Sequence, residues 1–225
     1  CMRFAIDHPK MVEKLILMAS ADIKGYPANK RGFLKRPIQG KYITSREELY
    51  EDLKAMIKAM ERRTDWIIRT ALDFSLFNVS RPQREQREEL IKVVFQQRNL
   101  LDVNYALIHF NISHEHNGIT QGTGEVDQLT MPVLVLQGDR DMVVNTGIAE
   151  SIVEGIGENA RLVVLAGCGH FPVLDNLEAV TREFVSFIED HSHESRRRIR
   201  IPGKATPVLE RLSCRLRKLN PFRAK

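Results

Sequence analysis

Apolar and polar positions alternate at several distinct periods along this chain. The clearest run is Met131–Val144, MPVLVLQGDRDMVV, in which Val133, Leu134, Val135 and Leu136 follow one another without polar alternation. A short run of this kind, rich in β-branched residues, predicts a strand buried on both faces of a parallel sheet. Gly138 stops it, and Asp139 and Asp141 come immediately after. A second strand is predicted over 160–165, ending in Ala166-Gly167-Cys168-Gly169-His170, and a third over Val12–Ala19. Cys1–Asp7 has the pattern of a helix end, because Pro9 disfavours helical geometry at His8.

Residues 21–128 differ in texture. Residues 22–41 are rich in Gly, Pro and Lys and predict irregular structure. Thr44-Ser45 and Glu48 form a capping box ahead of Leu49, Leu53, Met56, Ile57 and Met60, which sit at helical spacing. Further helices are predicted over 65–74, from Ser80 and Pro82 to a break near Asn99, and over 101–110, with a polar loop at 113–125. After the Met131 strand, Asn145 or Thr146 caps a helix that Gly155 and Gly157 end. Asp175 or Asn176 caps a last one, with Leu177, Val180, Phe184, Phe187 and Ile188 on one face. Strands alternating with helices predict an α/β fold around a parallel sheet, interrupted by an all-helical insertion.

Composition changes this picture little, and charge changes it at one place. A hydrophobic content of 43% is that of an ordinary globular protein, and no apolar run approaches the ~20 residues of a membrane span. The net charge of +5 belongs to the end of the chain. Residues 191–225 carry 11 Lys/Arg against 2 Asp/Glu, a balance of +9, so residues 1–190 carry −4. Three cysteines, Cys1, Cys168 and Cys214, form no C-x-x-C, which favours a reducing, cytoplasmic compartment. A secretory signal is not legible, because Met2–Asp7 already has the pattern of a helix interior.

Open α/β sheets place their chemistry at the carboxyl ends of the strands. Asp141 and His170 stand at two such ends, 29 positions apart, and suggest an Asp–His pair. The motifs around them resemble those of the α/β-hydrolases. P-V-L-V-L-Q-G-D-R-D-M-V-V is similar to that family's acid strand, G-x-x-D, and A-G-C-G-H-F-P to its G-x-G-H loop. R-F-A-I-D-H-P-K-M-V-E-K-L-I-L-M-A-S resembles the helix and strand that follow its nucleophile elbow. The order, acid before histidine, is also the family's. The resemblance covers about residues 1–190. It implies core segments at 1–20 and 129–190, a helical cap at 21–128, Asp141 as triad acid and His170 as catalytic base. The basic tail, 191–225, lies beyond it.

No G-x-S-x-G occurs in the 225 residues. By the family pattern the nucleophile would lie just upstream of Cys1, together with the first strands and the oxyanion donors. The chain is then expected to be a C-terminal fragment, inactive alone, of an enzyme acting on an ester or similar small apolar substrate. An aspartate nucleophile and carbon–carbon bond hydrolysis also fall within the resemblance. No cofactor and no metal are implied. The rival reading is a non-catalytic, hydrolase-like binding protein. Without neighbouring strands, the Val12–Ala19 strand would have an open edge, and the chain is expected to be poorly soluble or oligomeric.

Other residues carry weaker signals. Trp66, Phe74, Phe77, Phe95, Tyr105 and Phe110 are candidates to line an apolar substrate pocket, or simply to pack the cap. Asp139 suits a turn or cap. Cys168 suits a small buried residue better than a nucleophile, since neighbours on one loop rarely reach base geometry. His114-x-His116 has no further His or Cys to complete a metal site, and Gly122-x-Gly124 follows no strand, against a nucleotide loop. In the tail, Leu209, Leu212, Leu216 and Leu219 share a helical face ringed by Arg211, Arg215, Arg217 and Lys218. Over 206–219 this is the pattern of a basic amphipathic helix, suited to weak contact with an anionic membrane, to a solvated appendage or to docking on the body. The tail lacks the interleaved aromatics expected of a nucleic-acid binder. If it contacts membranes, deleting 196–225 is expected to lower binding to anionic vesicles in a flotation assay, and unchanged binding removes that reading.

Overall fold

The computed structural model describes residues 1–32 and 36–190. The tail reading over 206–219 lies outside the described residues. Helix α1 (Met2–Asp7) leads through a short 3-10 turn at Pro9–Met11 into strand β1 (Leu15–Met18). Strand β4 (Val133–Gly138), helix α6 (Thr146–Ile156), strand β5 (Ala160–Leu165), the short helix α7 (Pro172–Asp175) and helix α8 (Leu177–Glu189) complete the core. The strands form one parallel sheet in the order β1-β4-β5, with Leu15 opposite Val133 and Val133 opposite Ala160.

β4 is central, and all six of its residues are buried. Its alternate side chains enter two different cores. Val133 and Val135 join Leu15 and Leu17 under α1 and α6, against Ala5, Ile6, Ala149 and Ile152. Leu134 and Leu136 face the other way, against Leu165, Cys168 and, from α8, Ala179, Val180 and Phe187. The unbroken apolar run thus serves two layers at once, each buried Leu contributing about 1.5–3 kcal/mol. Asn176 caps α8, its side chain accepting from the Ala179 N–H at 3.0 Å. At the other end Lys14 Nζ donates to the carbonyls of Phe187 and Ile188, which have no partner within the helix. Leu177 and Ile188, expected on the buried face, are exposed, and Ala179 is buried instead.

Between β1 and β4 the chain runs through helices α2 (Arg46–Glu61), α3 (Asp65–Ser75), α4 (Arg84–Val94) and α5 (Leu100–His109). At α2 the expected cap forms: the Glu48 N–H donates to Ser45 Oγ at 3.1 Å, and the Glu48 carboxylate accepts from the Thr44 N–H at 3.1 Å. The block is not all-helical. Strands β2 (Asn29–Arg31) and β3 (Pro37–Tyr42) pair antiparallel in the stretch expected to be irregular. β3 is almost wholly exposed, so no apolar alternation marked it in the sequence. The polar loop at 113–125 is not simply solvated. Ser113 and Asn117 are buried there, as is Asn111 just before it, and Asn117 Oδ1 accepts from the N–H groups of Ile119 and Thr120. No helix among the described residues is long and apolar enough to cross a membrane.

Among the described residues β1 pairs only with β4. The N–H groups of Leu15 and Ala19 donate to Pro132 and Leu136 of that side. The alternate groups at Ile16 and Met18 therefore face an open edge, which templates pairing with another chain. The chain is expected to sediment as concentration-dependent oligomers. Ile16→Pro, which removes an outward N–H at a position where an edge tolerates proline, is expected to weaken the association. A wild-type monomer across all concentrations would contradict the edge argument.

Candidate active site

The loops after β4 and β5 lie side by side because backbone and side chain tie them together. Asp139 N–H donates to Leu165 O at 3.2 Å and Arg140 N–H to Cys168 O at 2.9 Å. The Asp139 carboxylate accepts from the Gly167 N–H at 2.7 Å, so Asp139 is a loop tie. At Gly138 the loops approach so closely that a Cβ would fall 2.3 Å from Cys168 O. Only glycine fits there.

This contact brings Asp141 and His170 together. His170 Nδ1 lies 2.9 Å from Asp141 Oδ2. The Asp141 side chain has no exposed surface, while a fifth of the His170 side chain remains exposed. Asp141 Oδ1 accepts from the N–H groups of Val143 at 2.8 Å and Val144 at 2.9 Å. Oδ2 also accepts from Gln137 Nε2 at 2.9 Å, and the same amide nitrogen donates to Val144 O at 2.7 Å. Burial pushes the Asp141 carboxyl up, and the bonds from Val144, His170, Val143 and Gln137 together outweigh it, holding its pKa below the usual carboxylate value. At neutral pH the carboxylate is therefore an acceptor only, so the shared proton sits on His170 Nδ1. The lone pair of the neutral ring is then at Nε2.

Gln137 carries no motif, and its one signal in the sequence is being the polar residue in an otherwise apolar strand, a position at which a buried amide needs partners. Cys168 is a free, buried thiol, packed with Leu134, Leu136 and α8. Burial pushes its pKa up, and the negative Asp175 and Asp139 add to this, the opposite of what a nucleophilic thiolate requires. His114 Nε2 meets Asp127 Oδ1 at 3.0 Å and His116 Nδ1 accepts from the Gly118 N–H. No group of three metal-ligating side chains occurs among the described residues.

The six aromatic candidates do not converge. Trp66 and Phe74 are exposed on α3. Phe77 and Phe95 pack inside the helical block, Tyr105 belongs to a second cluster with Leu49 and Ile108, and Phe110 packs against the sheet's α1–α6 side. Phe77 and Phe95 share a cluster with Phe171, the residue after His170, and the Phe77 ring lies 6.2 Å from that of Phe171. An open groove of about 660 Å³, lined by Asp22, Lys24, Tyr26, Tyr42, His116 and Asn117 among others, includes none of the six and neither member of the pair. Packing, the other role the sequence leaves open for these residues, is the one seen for Phe77, Phe95, Tyr105 and Phe110. Spacing along helices does not determine which helix face turns toward the sheet.

The sequence matches no protein-family model and no curated protein. Solved structures resemble it at low identity. The chain is similar to a candidate lipase from Acinetobacter baumannii AYE, with 18% identity and a TM-score of 0.55 over 83% of this chain and 56% of that one. It is similar to a hydrolase from Pseudomonas aeruginosa PA01, with 17% identity and a TM-score of 0.50 over 84% of this chain and 60% of that one. A thermophilic esterase gives 17% identity and 0.50 over 83% and 60%. The chain spans less than two thirds of the length of these proteins. What they share with it is the fold.

The depressed Asp141 pKa has a signed consequence. A carboxyl whose folded pKa lies below its ordinary value of 3.8 contributes stability above that value and loses it as pH falls through the folded one. Asp141→Asn puts an amide donor in place of one of two oxygens that each accept two bonds, and is expected to destabilise the chain by about 1–3 kcal/mol at pH 7. The gap to wild type is expected to narrow as pH falls below about 4, where the carboxyl of the unfolded chain begins to take up a proton, and to close only below the depressed folded value. Urea unfolding of both proteins from pH 7 to pH 3 measures it; a gap independent of pH would mean that the charge is not what the site stabilises.

Proposed function

Proceeding from the α/β-hydrolase fold that this chain shares with those structures, we propose that it supplies the acid and the base of a hydrolase acting through a Ser-Asp-His triad. Asp141 is the acid and His170 the base. The observation that carries the reading is the 2.9 Å bond between Asp141 Oδ2 and His170 Nδ1, made where two parallel strands end. Bound in this way, the imidazole is held in the tautomer that leaves Nε2 free to take a proton from a nucleophile and return it to the leaving group. The buried carboxylate stabilises the imidazolium that forms in between.

The nucleophile is proposed to be a serine outside these 225 residues, since they contain no G-x-S-x-G. The substrate is proposed to be an ester or a similar small, largely apolar molecule. The inserted helices would act as its cap. The hydrolase, lipase and esterase described for the similar structures support this class.

The test begins with the native protein. Its intact mass and N-terminal sequence establish whether residues precede Cys1. An upstream G-x-S-x-G serine that a fluorophosphonate probe labels, with labelling lowered at least a hundredfold by His170→Ala, is the expected result; loss of the base removes the proton transfer that activates the serine. A native chain that begins at Cys1 or Met2 and takes no label would overturn the reading and favour a non-catalytic binding protein on the same scaffold.

A further inference from the structure

Four consecutive residues between α3 and α4, Phe77–Ser80, meet the segments that carry Asp141 and His170. Asn78 Nδ2 donates to Arg140 O at 2.9 Å, one position before Asp141. The other end of the same amide occupies the space that a side chain at Gly169 would fill. A Cβ on Gly169 would lie 2.3 Å from Asn78 Oδ1 and 3.2 Å from Val79 Cγ2. Gly169 is one position before His170. Asn78 Oδ1 is buried and has no hydrogen-bond partner, a placement that persists only where other contacts hold it. Reversing the amide would set its oxygen against Arg140 O, so the observed orientation is the one that electrostatics allows.

Asp175 makes the second half of the contact. Its Oδ1 accepts from the Ser80 N–H at 2.9 Å and its Oδ2 from the Gly169 N–H at 2.7 Å. One carboxylate thereby joins the inserted block to the His170 loop through two backbone donors, and hydrogen bonds to a charged acceptor are the strong ones. Around it, Phe171 and Leu174 pack into the cluster of Ile68, Leu72, Phe77 and Ile91, so the segment after His170 is part of the block's own core.

We infer that Asn78 and Asp175 are positioning residues, a clasp through which the inserted helical block sets the His170 loop against the Asp141 loop. Neither touches the reacting atoms. Each acts through the backbone on either side of the pair: Arg140 for Asp141, Gly169 for His170. The Asp139–Gly167 bond ties the two loops to each other, and the clasp adds a third body to that joint. A shift of the block therefore changes the Asp141–His170 bond, and this makes proton transfer at His170 responsive to whatever the block binds. The use of that response in turnover rests on the hydrolase reading. The geometry of the clasp does not, so the experiment reads the pair and not the reaction.

The measurement is proton–nitrogen NMR of the full chain labelled with 15N-histidine, following the His170 Nδ1–H signal and its exchange with water. In the wild type a hydrogen-bonded, slowly exchanging Nδ1–H is expected. Asn78→Ala and the isosteric Asp175→Asn, which turns one acceptor into a donor, are each expected to speed that exchange at least tenfold. Ile68→Val loosens the same cluster without touching the clasp and is expected to leave the exchange unchanged at an equal or greater loss of melting temperature. Either clasp variant suffices should the other fail to fold. Exchange that stays at the wild-type rate in the folded clasp variants, or that rises equally in Ile68→Val, overturns the inference. Absence of the protected signal in the wild type overturns the pair itself. A protected pair with an intact clasp, in a protein that no fluorophosphonate labels, upholds the clasp and removes only the serine-hydrolase reading.

Discussion

Everything in the core hangs on β4. It is hydrogen-bonded on both edges and buried on both faces, so the strand is constrained by four neighbouring bodies: β1, β5, the α1–α6 layer and α8. Such a strand cannot slip by one residue. A slip would exchange Val133 and Val135 for Leu134 and Leu136 and refit both layers at once. The rigidity continues into the loop after the strand. Gly138 sits so close to the Cys168 carbonyl that the two loops have one relative placement, and Asp141 and His170 meet inside it.

The environment of Asp141 shows how a buried carboxylate is kept charged. Burial raises the carboxyl's pKa, and two backbone N–H groups, an imidazole and a glutamine amide lower it. Gln137 differs from the other donors because it belongs to the strand and not to the loop. Its amide nitrogen holds Asp141 Oδ2 and Val144 O together, closing the turn that aims the carboxylate. The site is thus an extension of the strand's packing, and a change in the sheet near Gln137 is felt at His170 through one side chain.

The inserted block relates to the site differently. Trp66 and Phe74 turn outward, Phe77 and Phe95 pack in the cluster that also takes in Phe171 and Leu174, and Tyr105 and Phe110 join two other clusters. The block reaches the pair through Asn78–Ser80, by the Asn78 amide bond to Arg140 O, the close approach of Asn78 and Val79 to Gly169, and the Ser80 N–H bond to Asp175. The electrostatic tie through Asp175 and the close approach at Gly169 both depend on loops distant in sequence, at 78–80, 140 and 169–175.

Local pattern determined much of this protein. The apolar run at 133–136, the cap at Ser45 with Glu48, and the strand-and-helix alternation after 130 all state their structure over a few residues, because burial on two faces and satisfaction of helix-end N–H groups are local demands. Asp141 and His170 were legible for the same reason: each stands directly after a recognisable strand. The exposed hairpin β2–β3 was not, since no buried face imposed a period on it. Nor were the partners of Asp175 or Asn78, which local pattern reduces to a helix cap and a loop residue. Which N–H groups a carboxylate meets, which face of α3 turns outward and which glycine must yield its side-chain space are decided only when three loops far apart in the chain are brought within a few ångströms by the packing on either side of β4.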